Sequence, residues 1–182
     1  MAKNFDSGKE QDKLLNRLER QEKKQAFHRG RFLRFKLPEI HNKLSQALLV
    51  ENVIETDQPT AVSDGLLRGL KRAMKSTEFD FKYFVAPLRD LVARPNPYAL
   101  FMTQYIMEVL IDDPGVIEIY GTDEEIYTLI NKILSKISLR FEQQEKEITA
   151  QLQKDRSLIP GSRDYEIQLD QLMRKKMGDP QQ

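Results

Sequence analysis

The sequence predicts a mainly α-helical protein built from two similar halves. Each half reads helix–short strand–helix, with a two-stranded β-ribbon between them and a long C-terminal helix. Three observations predict this. Apolar residues recur at helical spacing along most of the chain. Two β-branched segments, Val53–Thr56 and Val116–Ile119, interrupt that spacing with nearly the same residues, VIET and VIEI. After the second segment, no glycine or proline occurs from Thr122 to Ser157.

The chain divides into a basic N-terminal arm (1–36), a first helical half (37–95) and a second half with the C-terminal helices (96–179). The arm holds 11 Lys+Arg against 5 Asp+Glu, and the remainder 18 against 23. Within it, KEQDKLLNRLERQEKK offers only Leu14, Leu15 and Leu18 as apolar residues. That face is too narrow to pin a helix firmly, so the arm reads as a marginal helix or partly disordered.

Pro38 suits the first turn of a helix. Leu37, Ile40, Leu44, Ala47 and Leu48 then follow at helical spacing up to Val50. Asp57, Pro59 and Thr60 turn the chain into a second helix with Val62, Leu66, Leu67, Leu70 and Met74 on its inner face. Gly65 and Gly69 lie four apart in it, and each costs about 1 kcal/mol against alanine. Close packing against another element accounts for that cost. Thr77 and Asp80 form a weak cap, and aromatics gather at Phe79, Phe81, Tyr83 and Phe84. Pro87 predicts a kink or a fresh helix start, and Arg94–Pro97 marks a boundary.

Tyr98–Ile111 is apolar nearly all round, as expected of a helix central to a core. Asp112–Gly115 ends it. Thr122 and Glu125 form a capping box that opens the long helix. The first half of that helix is amphipathic. Its second half keeps only Phe141, Ile148 and Leu152, and is expected to project into solvent or bend near Ser138. Pro160–Ser162 turns the chain into a last helix, RDYEIQLDQLMRKKM.

An offset of 63 positions aligns Val53-Ile54-Glu55 with Val116-Ile117-Glu118, and Leu66, Leu67 and Leu70 with Leu129, Ile130 and Ile133. An internal duplication explains the echo, and chance matching of amphipathic helices is the competing explanation. If the halves correspond, one strand from each pairs with the other, satisfying backbone groups that neither satisfies alone. The segments VIEIYGTDEEIYTLINKIL and RSLIPGSRDYEIQLDQLMRKKMGD carry a further likeness. With Ile159, Gly161, Ser162 and Tyr165 in place, the chain over roughly 37–179 resembles the bacterial domain of unknown function 507 family. Pro160 stands where that pattern usually has an acidic residue. The resemblance implies an architecture and brings no activity with it.

Sites for chemistry are scarce. No cysteine is present, and the two histidines, His28 and His41, have no ligand-bearing neighbour at i±4. His41 reads as a helix-surface residue. No G-x-S-x-G, S-x-x-K or phosphate-cradling glycine loop occurs. Asp112, Asp113 and Asp123–Glu125 cluster without the alternation of a calcium loop. The last three acids suit a helix N-terminus. No cofactor, no metal and no enzymatic activity are expected.

FHRGRFLRFK, by contrast, interleaves cations with aromatics. Its Phe27, Arg29, Arg31, Phe32, Arg34, Phe35 and Lys36 form the candidate partner-binding segment. Such residues either neutralise phosphates and stack on bases, meet a protein partner, or dock the arm on the body. The expected role is a non-enzymatic helical interaction protein, adaptor or structural, with a protein partner. The alternative is an RNA- or DNA-associated factor, ribosome-associated among the options, anchored by the arm. The lack of an apolar N-terminal leader, and of any run of about 20 apolar residues, argues for a cytoplasmic protein away from membranes.

Overall fold

The computed structural model describes residues 7–75 and 97–180, with side chains described for all of these except 7–10, 19–29, 97, 98 and 101. The elements are α1 (Ser7–Val50), β1 (Ile54–Thr56), α2 (Pro59–Lys75), α3 (Pro97–Asp112), β2 (Val116–Ile119), α4 (Asp123–Leu152) and α5 (Arg163–Met177). The chain is mainly helical, with one small antiparallel ribbon. The expected cap at Thr77–Asp80, the aromatic cluster Phe79–Phe84, the Pro87 break and residues 94–96 of the expected boundary lie outside the described residues.

α1 overturns one expectation. No helix starts at Pro38. A single helix of 44 residues runs through it. An internal proline removes a hydrogen bond and crowds the carbonyl four residues back, at a cost of about 3 kcal/mol. Here both Pro38 and Arg34 are exposed, so the proline lies on the solvent face of the helix. Leu33, Leu37, Ile40, Leu44 and Leu48 form one buried stripe that crosses the proline without a break. Burying each such side chain is worth about 1.5–3 kcal/mol, so the stripe outweighs the proline. The segment expected as a marginal arm thus joins the core from Arg31 onward.

Asn52 takes the left-handed conformation (φ 53°) in the turn to β1, which asparagine tolerates better than most residues. β1 and β2 pair antiparallel, with Ile54 opposite Ile119 and Glu55 opposite Glu118, and a bulge then sets Thr56 opposite Val116. Glu55 and Glu118 are counterparts under the 63-residue offset, so the ribbon is centred on an equivalent pair. The helices obey the same exchange. α1 packs on α2 and α4, and α3 packs on α4 and α2. Swapping α1 with α3 and α2 with α4 leaves every one of these packings in place. The strand register and the helix pairings are thus those expected if the two halves correspond.

The glycines of α2 set its distance from α3. A Cβ on Gly69 would lie 2.7 Å from Val109 Cγ2 and 3.2 Å from the Tyr105 carbonyl, and one on Gly65 would lie 2.7 Å from Asp113 Oδ2. The helices therefore approach at these two positions as the spacing predicted. Opposite α2, α3 meets α4, burying Leu100, Met102, Ile106 and Leu110 in the shared core.

α4 is continuous, 30 residues or roughly 45 Å at 1.5 Å per residue. Its capping box forms as expected: Glu125 N–H donates to Thr122 Oγ1 (3.2 Å) and Thr122 N–H to Glu125 Oε2 (2.8 Å). The second expectation to fail is that its latter half projects into solvent. Phe141, Ile148 and Leu152 are buried. The Phe32 ring packs edge-on against Phe141, with centroids 5.3 Å apart. Tyr165, Leu169 and Met173 of α5 enter the same core, spaced one turn apart along their helix. The turn before α5 has Pro160 followed by Gly161 at φ 83°, closed by Ser162 N–H to the Ile159 carbonyl at 2.9 Å. That is a type II turn, which needs a glycine at its third position. Asp155 accepts from the Ser157 hydroxyl and amide, and these bonds hold its carboxyl below the usual range.

Candidate partner-binding surfaces

The candidate segment divides sharply. Phe32 and Phe35 are buried in the core. Arg31 lies between α4 and α5, its Nη1 donating to Glu145 Oε1 at 2.8 Å and its Nη2 to Glu166 Oε2 at 3.2 Å. Lys36 pairs with Glu39 at 3.6 Å, and Glu39 also receives Arg140 of α4. Arg34 points outward and is exposed. The side chains of Phe27 and Arg29 lie outside the described residues. Of the uses open to this segment, docking on the body describes Arg31, Phe32 and Phe35, while Lys36 pairs within its own helix.

Upstream, residues 11–18 are exposed on every face of α1. Leu14, Leu15 and Leu18 stand 58%, 58% and 54% exposed on two helical turns, beside the exposed cations Lys13 and Arg17. Three large apolar side chains so close together on a free helix form a surface that burial would stabilise.

His41 is not the surface bystander its position suggested. Its Nε2 lies 2.7 Å from the Ser63 carbonyl and 3.1 Å from Ser63 Oγ, and Ser63 Oγ donates to the buried Ser45 Oγ at 3.1 Å. A carbonyl only accepts, so the contact with Ser63 is a hydrogen bond in the tautomer that carries the proton on Nε2. The group is a polar rivet between α1 and α2. Among the described residues, no three His, Cys, Asp or Glu gather as a metal site. No described helix is long and apolar enough to cross a membrane.

The ribbon end carries a signal that spacing and motifs missed. Lys and Arg are absent from residues 44–67 and again from 97–131. Four short connections bring the C-terminal ends of α1 and α3 and the N-terminal ends of α2 and α4 to the ribbon. Glu51, Glu55, Asp57, Asp112 and Glu118 are all exposed there, and no described cation pairs with any of them. The Tyr120 hydroxyl donates to Glu55. That bond, with the neighbouring Glu118 charge, raises the phenol above its ordinary value. Counting cation-free stretches along the sequence would have found this pole, and reading charge only as arm against body averaged it away.

No curated protein and no solved structure matches the chain. Residues 98–178, from the first turn of α3 to just past α5, match the model of the family described as Protein of unknown function (DUF507). The resemblance expected from the VIEI segment and the Ile159–Tyr165 turn therefore holds over the second half of the chain.

Proposed function

We propose that the chain is a non-enzymatic helical interaction protein of the cytoplasm that meets a protein partner through the N-terminal stretch of α1. The observation that carries this reading is the exposure of Leu14, Leu15 and Leu18 at helical spacing on an element anchored in the core further along. A helix presented in this way suits a groove or another helix as its receptor.

Crosslinked capture with the full chain tests it against Leu14→Glu/Leu18→Glu. Loss of a specific capture in the variant is expected. Equal capture by both, or turnover of a metabolite by the purified chain, would contradict it. Deleting residues 1–36 is the wrong comparison, because it removes Phe32, Leu33 and Phe35 from the core.

The nucleic-acid reading rests on the net charge of residues 1–36 and on the exposed Arg34. Phe32 and Phe35 reach a base only if α1 leaves the core, which weakens the stacking half of that idea. RNA titration at two salt concentrations, with Arg34→Ala and Arg17→Ala, measures what remains. A salt-dependent affinity lowered by both substitutions would favour this reading over the first.

A further inference from the structure

We propose that the chain associates head to tail with a second copy of itself, the N-terminal stretch of α1 of one copy docking on the ribbon end of the next. This rests on the reading of that stretch as a partner surface and names the partner.

Among the described residues, exposed large apolar side chains form two groups, with Leu139, Ile159 and Ile167 exposed elsewhere. One is Leu14–Leu18. The other is the ribbon end, where Val50, Ile111, Ile117 and Tyr120 are 70%, 68%, 59% and 60% exposed. Ile117 is the residue the bulge leaves without a partner across the ribbon, so its side chain is free of the pairing that fixes its neighbours.

Charge separates the two places in the complementary sense. Lys13 and Arg17 flank the leucines, and Asp12 is the one acid among residues 11–18, so this stretch carries a net charge of +1. The ribbon end has acids and, over residues 44–67 and 97–131, no Lys or Arg at all. Glu55 and Glu118 face each other directly, an unfavourable cross-strand pair that an incoming cation relieves. Asp123–Glu125 occupy the first turn of α4, where acids complement the helix dipole.

A chain cannot satisfy itself. Leu14–Leu18 and Val50 belong to one helix, which holds them roughly 50 Å apart at 1.5 Å per residue. The acceptor is therefore on another molecule. Because the two patches are different surfaces, each copy keeps one of each unfilled after a single contact. Growth then continues until the array closes or stays open. The contact is small, so the association is weak and salt-sensitive.

Sedimentation velocity of the full chain across a concentration series, at low and high salt, tests this with two variants. Glu55→Lys/Glu118→Lys reverses the ribbon, and Lys13→Glu/Arg17→Glu reverses the arm. Circular dichroism and urea unfolding check that both fold. The wild-type mass is expected to rise with concentration at low salt and fall back at high salt. Each variant alone associates roughly tenfold or more weakly, since like charges then face each other. An equimolar mixture of the two restores association, because each supplies the pole the other lacks. A monomer at every concentration overturns the proposal, even where the Leu14- and Leu18-dependent capture succeeds and the broader reading stands. Loss in the arm variant alone also overturns it, since the arms would then pair with each other. So does a mixture of folded variants that stays apart.

Discussion

One helix, α1, contains two stretches with opposite fates. From Arg31 to Leu48 it is built into the core, and from Gln11 to Leu18 it is exposed on every side. Helix propensity does not account for this, since the core-bound stretch is the one that contains a proline, Pro38. What differs is the length of the apolar stripe. Leu33, Leu37, Ile40, Leu44 and Leu48 cover more than four turns and meet α2 and α4. Leu14, Leu15 and Leu18 cover two, with no further large apolar residue until Phe27. A stripe must be long enough to hold a neighbour, and even an internal proline does not undo one that is.

Substitutions across the core-bound stretch sharpen the contrast. Phe141→Ala, which removes the ring against Phe32, should cost about 3–5 kcal/mol in urea unfolding. Gly69→Ala separates packing from propensity. Propensity alone predicts a gain of about 1 kcal/mol. The 2.7 Å approach to Val109 and the nearby Tyr105 carbonyl predict a loss of about 1–3 kcal/mol instead. Arg31→Met keeps most of the aliphatic stem and removes the bonds to Glu145 and Glu166, for a loss of about 1–2 kcal/mol after allowing for the exposure of Glu166. At the free stretch, Leu14→Ala/Leu18→Ala should leave monomer stability within about 0.5 kcal/mol of wild type. A cost as large as that of Arg31→Met would show that the leucines pack on their own molecule, and would break the comparison.

Much of the fold was legible because local chemistry and tertiary structure agree. The VIE echo marked both strands, Thr122 and Glu125 marked the start of α4, and Gly65 and Gly69 marked a close approach. Two features were not. Pro38 reads as a helix start wherever its local cost decides, and here a stripe spanning both sides of it decides. Phe141, Ile148 and Leu152 are too sparse to announce a buried face alone. Among the described elements, α1 and α5 arrive from distant parts of the chain to pack on this helix, α4. The candidate segment was legible as a segment but not in its use. Interleaved cations and aromatics fit a core-docked edge and a ligand face equally well, and only the positions of Glu145, Glu166 and Phe141 distinguish them.

Hydrogen exchange along α1 tests the central claim most directly, at high salt and low concentration where copies stay apart. Amides of residues 11–18 should exchange rapidly, while those of 33–48 stay protected through Pro38 as one unit. Protection that begins only after Pro38, with residues 31–36 as fast as 11–18, would contradict the account.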